Sequence, residues 1–169
     1  MTTINRSNSY AGLQRLAAHR ILILDGAMGT MVQQLGLGET DYRGTQLSGH
    51  PQDVKGCTDL LSLTQPAAIT AIHRDYLAAG ADIISTNTFN ANRISLADYG
   101  LTDRVRELNL AATACGRRAI EMCGSDDGRP RFLAGSIGPT NRTASMSPNV
   151  SDPGYRAVTF DQLVEVYYE

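Results

Sequence analysis

The chain has 169 residues, of which 42% are hydrophobic and 19% are charged, and its formal net charge at pH 7 is -2. This composition predicts an ordinary globular domain and excludes global disorder. Acidic and basic residues are interspersed, so no basic surface indicates nucleic acid or a membrane as a partner. We find no apolar run of membrane-helix length and no signal-peptide core near the start, and we expect a cytoplasmic protein.

The first part of the chain predicts an extension followed by a strand. Residues 1–8 are expected to be frayed, and residues 9–19 to form a short helix that covers one end of the fold. Ile21 to Leu24 is an unbroken apolar run, which is typical of a strand buried on both faces. It ends at Asp25-Gly26.

A short helical piece and a long excursion follow the first strand. Met28 to Leu35 is expected to be helical. Gly36 to Leu60 is polar and contains several glycines, and we expect it to be irregular. A segment of that size without regular structure inside a compact domain is usually functional.

The second strand–helix unit has the clearest signals. Pro66 to Ala79 predicts a helix, with proline at its first position and Gly80 at its stop. Asp82 to Thr86 is the next predicted strand. Thr102 is placed to cap another helix that ends at Gly124, and one stripe of that helix is apolar. The stripe comprises Val105, Leu108, Ala112, Cys115, Ala119 and Met122.

A third strand and a last helix complete the chain. The turn at residues 126–128 leads into a strand from Phe132 to Ile137, and a long loop follows Gly138-Pro139. Thr159 and Gln162 have capping-box spacing, which predicts a final helix. Strand, polar turn and helix thus recur three times, which predicts an α/β fold with a parallel sheet. Three strands leave both edges bare, so we expect the chain to be the front part of a longer protein.

The carboxyl ends of parallel strands share one rim, where ligands bind in such folds. Asp25 offers a carboxylate to an ammonium group, and Gly26 lets a ligand approach the backbone; a local Asx turn is the alternative. The segment from Ser85 to Asn90 suits a rim of hydrogen bonds, or else satisfies its own backbone. Gly135 to Thr140 allows close approach of a ligand, or only packs.

Other functional groups lack a recognisable arrangement. We find no phosphate loop and no spacing that indicates a Ser-His-Asp triad. The histidines and cysteines lack metal-ligand spacing; they are His19, His50, His73, Cys57, Cys115 and Cys123. We expect surface or packing roles for the histidines. The residues alone therefore predict an α/β chain with a polar rim for a small molecule.

Several motifs in order resemble a known family. LDGAMGT, DLLSLTQPAAITAIHRDYLAAGADIISTNTFNAN and AGSIGPTNRT resemble the homocysteine S-methyltransferase family. Residues 41–44, 139–145 and 147–160 are similar to its cobalamin-dependent subgroup in particular. The resemblance implies a (β/α)8 TIM barrel, of which this chain carries the first three strand–helix units. Residues 1–20 would be an N-terminal extension and capping helix, and residues 21–169 the N-terminal part of the barrel.

The resemblance also implies a chemistry. In the family, zinc held by three cysteine thiolates keeps the homocysteine sulfur ionised. Those ligands come from late strands, so we expect them beyond residue 169 and expect the isolated chain to be inactive. No catalytic residue or metal ligand is assigned within it. Asp25 and Gly26 would hold the amino and carboxylate groups of homocysteine, Thr86 would add a contact, and Asn87 and Ser136 would be rim neighbours.

Cofactor and partner expectations follow the subgroup. Methylcobalamin would donate the methyl group, and methionine would be the product. Downstream folate- and cobalamin-binding modules of the same parent chain would be the partners. One alternative is a cobalamin-independent enzyme that uses betaine, S-methylmethionine or S-adenosylmethionine, against which the segment from Asn141 to Ser145 argues. The other is an inactive fragment with only a binding role.

Overall fold

The computed structural model describes residues 6–124 and 128–168. Of residues 1–8, expected to be frayed, residues 1–5 lie outside this part, as does most of the predicted turn at 126–128. Residues 6–8 are already helical, so the helix expected over 9–19 begins earlier than predicted. The fold is a mixed α/β arrangement dominated by helices, with a small parallel sheet. Its elements are α1 (Arg6–Ala17), α2 (Met28–Gln34), α3 (Glu39–Arg43), α4 (Leu61–Thr64), α5 (Pro66–Ala78), β1 (Ile83–Ser85), α6 (Arg93–Leu96), α7 (Val105–Cys123), β2 (Phe132–Ala134) and α8 (Phe160–Tyr168).

The sheet has the parallel order that the sequence predicts. β1 pairs with β2, so that Ile83 lies opposite Phe132 and Ser85 opposite Ala134. On the other side of β1, Leu24 forms a parallel bridge with Ile83. The segment around Leu24, β1 and β2 therefore lie side by side, and all three run in the same direction.

The strands are shorter and more exposed than predicted. The segment from Ile21 to Leu24 makes a single bridge, and Leu24 is 56% exposed. The expectation of a strand buried on both faces was wrong for the described residues, since Ile21, Ile23 and Leu24 are all more than half exposed, and the segment pairs with β1 on one side. The third strand ends at Ala134, and Ile137 is exposed, so its predicted end was wrong as well.

Two helices, α5 and α7, pack against each other and form much of the core. The predicted α7 stripe is buried up to Ala119, whereas Met122 is exposed. Thr102 belongs to a 3-10 turn in front of α7 and makes no side-chain cap, so that part of the prediction was wrong. Proline begins α5 as expected, and Gly80 follows the helix with a φ of 108°, a conformation that favours glycine.

The excursion before α4 is more ordered than predicted. It contains α3 and a 3-10 turn at Thr58–Leu60. Its apolar side chains enter the main core; they are Tyr42, Leu47, Val54, Cys57 and Leu60. The Glu39 carboxylate accepts hydrogen bonds from the backbone of Val54 and Lys55, and these bonds together with Arg43 lower its pKa. Most of residues 36–60 lie in turns, bends or loop, as expected, and α3 and the 3-10 turn are the regular exceptions.

The last helix begins as predicted. Thr159 N donates to Gln162 Oε1 at 2.9 Å, and Gln162 N donates to Thr159 Oγ1 at 3.2 Å, which is a capping box. Several apolar side chains of α8 are exposed, Phe160 at 74%. Tyr167 ties the helix to the third loop by donating to Gly138 O at 2.7 Å. In the described part of the chain, no helix has the length and apolar character needed to cross a membrane.

An ion cluster closes the amino end of the sheet. Asp82 is buried just before β1, and its carboxylate receives two hydrogen bonds of 2.7 Å from Arg20. Ile23 N and Arg129 also donate to it, at 3.0 and 3.2 Å. The Arg20 guanidinium lowers the pKa of Asp82 well below its usual range. This cluster lies at the end of the sheet opposite the polar turns.

Candidate functional site

The three polar turns meet at one edge of the sheet. Asp25 follows Leu24, Thr86 follows β1, and Ser136 lies two residues beyond β2. The backbone of Asp25 donates to Ile83 O at 2.9 Å, and that of Thr86 donates to Ala134 O at 2.9 Å. Because the strands are parallel neighbours, their carboxyl ends converge, and these turns form a continuous rim.

Asp25 is fixed by the neighbouring strand. Its Oδ2 accepts from Ser85 N at 2.8 Å, and its Oδ1 accepts from Ser85 Oγ at 2.9 Å. A carboxylate has about four acceptor positions, so each oxygen retains capacity for a further donor. The side chain is only partly buried. Asp25 is therefore a preoriented negative group that an ammonium ion can approach.

Gly26 lies at the exposed side of the same turn. A Cβ built there would be 3.3 Å from the hydroxyl oxygen of Tyr76, a side chain of α5. The helix thus packs closely against the backbone of the turn, and any larger side chain at Gly26 would push Tyr76 away. The small residue keeps the turn in place beside Asp25.

The second and third turns are joined by a closed set of hydrogen bonds. Ser136 N donates to Thr86 Oγ1 at 2.9 Å, and Thr88 Oγ1 donates to Ser136 O at 2.8 Å. Since the Thr88 proton is used in that bond, the 2.7 Å contact between the threonine hydroxyls must have Thr86 as its donor. Thr86 is buried, and its hydroxyl proton is committed within the rim. One lone pair remains to accept from a ligand.

Asn87 is directed towards the end of the excursion and the start of α4. Its Nδ2 donates to Thr58 O at 2.8 Å and to Ser62 Oγ at 3.2 Å, and the residue is buried. These bonds fasten the second turn to the end of the excursion. Asn87 therefore has a clear structural role, the alternative that its polar neighbourhood left open. The Ser136 side chain is only partly buried, and its main chain is held by the two threonines.

A buried carboxylate also holds the second turn. Asp59 Oδ1 accepts from Asn90 N at 2.8 Å, and the Asp59 side chain is nearly inaccessible. Burial raises the pKa of Asp59. The excursion therefore holds the second turn at Asn87 and at Asn90, and these bonds fix the position of the rim.

The cysteines do not provide a metal site. Within residues 6–124 and 128–168, no group of three His, Cys, Asp or Glu side chains is arranged to hold an ion. Burial raises the pKa of Cys57 to about 12, and it also raises that of Cys115. A metal-binding cysteine must be a thiolate. The residues present therefore do not fit a zinc centre.

Sequence reasoning found the rim but missed some of the residues that build it. Ser85, which holds Asp25, and Thr88, which closes the hydroxyl set, both lay inside a recognised polar turn. Their roles depend on strand register, which the sequence did not show. Asp59 and Tyr76 carried no local signal, because they reach the rim from the excursion and from α5.

A parallel α/β sheet whose carboxyl edge carries a fixed carboxylate and a polar rim defines a class of small-molecule-binding protein. The sequence profile described as "Homocysteine S-methyltransferase" matches residues 22–169, and the chain belongs to that family. A crystal structure of the homocysteine methyltransferase MmuM from Escherichia coli in its oxidized form is similar, with a TM-score of 0.59 and 26% identity over 75% of this chain. The metallated form gives 0.58, with 24% identity over 75%.

The chain spans 40% of the oxidized MmuM chain and 41% of the metallated one. The likeness therefore concerns less than half of those enzymes. It adds no residue of this chain to the candidate site.

Proposed function

We propose that this chain holds the amino-acid end of homocysteine within an enzyme that transfers a methyl group to the homocysteine sulfur. The observation that carries the proposal is Asp25, a partly accessible carboxylate preoriented by Ser85 at the carboxyl edge of the sheet. Membership of the homocysteine S-methyltransferase family supports the choice of ligand.

In this proposal a charged side chain binds the ligand's ammonium group, and the rest of the ligand's main chain lies against the protein backbone. Asp25 accepts from the ammonium group, while the exposed backbone at Gly26 lets the main chain of the ligand come close. Thr86 contributes its remaining lone pair, and Ser136 contributes a hydroxyl group beside it. Asn87 acts through the loop that it fastens rather than by contact.

The proposed parent fold is a (β/α)8 barrel in which these segments are the first three strand–helix units. The parallel order, with helices between successive segments, supports this proposal. A barrel of this kind needs about 250 residues. Residues 1–20 then form an extension with a covering helix, and residues 21–169 the first part of the barrel.

The proposed donor is methylcobalamin, as in methionine synthases, with the folate- and cobalamin-binding modules elsewhere in the parent chain. The motif similarity of the segment from Asn141 to Ser145 supports this donor. A cobalamin-independent transferase using betaine, S-methylmethionine or S-adenosylmethionine is the second candidate. Zinc is proposed for the parent with ligands outside this chain, since the cysteines described above do not fit that role.

Ligand analogues separate the amino-acid end from the sulfur. We expect calorimetry with the purified chain to detect homocysteine and 2-aminobutyrate with similar affinity, because this part contacts the ammonium and carboxylate groups. We expect 4-mercaptobutyrate, which is homocysteine without its ammonium group, to bind at least tenfold more weakly. A charge-assisted hydrogen bond contributes about 1.5–3 kcal/mol, which corresponds to about 10–150-fold in affinity.

The matched variants are Asp25→Asn and Asp75→Asn. Asp25→Asn should lower the affinity for homocysteine and for 2-aminobutyrate by a similar factor, because the amide has no negative charge to attract the ammonium group. Asp75 is exposed on α5 and serves as the control, with unchanged affinity expected. Equal affinity of wild type and Asp25→Asn for homocysteine would refute the proposed site.

A further inference from the structure

α5 places a histidine in the interior that the proposed function does not use. His73 is completely buried, and neither ring nitrogen has a hydrogen-bond partner in the described part of the chain. Leaving a buried polar group unpaired costs about 1–3 kcal/mol. A leucine or phenylalanine would avoid that cost, so packing alone does not account for a histidine at this position.

The same helix face meets the rim. Tyr76 is three residues after His73, so their side chains lie on neighbouring parts of one face. The Tyr76 hydroxyl oxygen lies against Gly26, which immediately follows Asp25. His73 therefore lies one helical turn before the side chain that contacts the first polar turn.

Asp25 is the charged group whose field acts on this ring. Burial lowers the pKa of His73, and the negative charge of Asp25 opposes that effect. The elements packed against α5 are α2, α4, α7 and β1. Among these, α2, α4 and β1 contain no ionisable side chain, and the buried face of α7 contributes Cys115, whose raised pKa keeps it neutral. Arg74 and Asp75 on α5 itself are exposed.

We propose that His73 is a positioning residue for Asp25: as a neutral ring it leaves the carboxylate charge available to the ligand's ammonium group, and as an imidazolium it takes that charge for itself. This inference rests on the proposed function. The two cations compete for one anion, so a proton on His73 and an ammonium group at Asp25 oppose each other. Affinity then falls when the ring is protonated, although the ligand's own charges stay unchanged between pH 5 and 7.5.

The first measurement is an NMR titration of the His73 ring in the 169-residue chain, and it does not depend on any ligand. We expect the ring to titrate below pH 6.5 in the wild type and at a still lower pH in Asp25→Asn, because the charge that favours the imidazolium is gone. Asp75→Asn removes an exposed carboxylate two residues away and should leave the titration unchanged. Equal His73 titrations in wild type and Asp25→Asn would overturn the inference.

The second measurement is homocysteine affinity from pH 7.5 down to the midpoint of the His73 titration found by NMR. In the wild type we expect a twofold loss at the pH where half of His73 is protonated, since half of the molecules are then competent. His73→Phe should bind equally well across this range, with His73→Gln as a second neutral variant if the first does not fold. His19→Gln, at an exposed position, should keep the wild-type profile.

The two measurements separate the possible failures. Parallel pH profiles in wild type and His73→Phe would overturn the role of His73 while leaving the proposed homocysteine site intact. If no variant binds homocysteine at any pH, the proposed function fails and the ligand competition fails with it. The ring titration still decides whether His73 and Asp25 are coupled.

Discussion

Replacing Asp82 with asparagine tests how the amino end of the sheet is held. In the wild type the carboxylate accepts from two nitrogens of Arg20, from Arg129 and from the backbone of Ile23. The amide of Asp82→Asn keeps the shape and one oxygen, so it can still accept from Ile23. It loses the charge, and its NH2 group faces an arginine.

The loss follows from the exposure of the partners. Removing one member of a fully buried ion pair costs about 3–5 kcal/mol, whereas an exposed pair contributes about 0–1 kcal/mol. The Asp82 side chain is 1% exposed and that of Arg20 is 38% exposed, so Arg20 regains part of its hydration when the pair is broken. We therefore expect a loss of about 2–3 kcal/mol, which lowers Tm by about 4–12 °C in a domain of this size.

Urea unfolding followed by circular dichroism at pH 7 measures this difference, with Asp75→Asn as the exposed control expected to change by less than about 0.5 kcal/mol. The folded-state pKa of Asp82 is lowered, so its contribution is present above the unfolded value of about 3.9 and is lost as the pH falls below it. The difference between wild type and Asp82→Asn should therefore shrink below about pH 4. A difference under about 0.5 kcal/mol at pH 7 would refute the reasoning.

Two further substitutions test packing and burial. Gly138→Ala should lower the free energy of unfolding by about 1–3 kcal/mol, because its Cβ would overlap the backbone oxygen of Phe89, whereas Gly29→Ala, in open space within α2, should raise it by about 0.5–1 kcal/mol; equal effects in urea unfolding would contradict this. Asp59→Asn should leave the free energy of unfolding at pH 7 unchanged or higher. Burial raises the pKa of Asp59, so the folded protein disfavours the carboxylate that the wild type must carry at high pH, and the neutral amide avoids this cost. The gain should vanish at acidic pH, where the wild-type carboxyl is protonated, and a persistent loss at pH 7 would count against it.

Local patterns were enough to predict the order of elements and the place of the rim. The proline at the start of α5, the capping box at Thr159 and the polar turn after β1 each depend on a few neighbouring residues. The length and burial of each strand were harder to predict. Ile21 to Leu24 reads as a full strand, but its pairing depends on which neighbours cover each side, and the described residues supply β1 on one side.

In the candidate site, too, the position of a residue could be predicted from the sequence, whereas the direction of its side chain could not. Asp25 could be chosen because it follows an apolar run directly, and Thr86 because the motif that contains it resembles the family. The direction of the Asn87 amide could not, since it depends on Thr58 and Ser62 in a segment that looked irregular. Side-chain direction at a rim depends on tertiary partners rather than on residue type.

The hydrogen bonds among Thr86, Thr88 and Ser136 join the loop after β1 to the loop after β2, so that the two loops move together. Neither loop can shift alone without breaking a bond that the other supplies. Evolutionary change at either threonine should then be accompanied by adjustment near Ser136. Engineering of this edge would have to treat the pair of loops as a single exchangeable part.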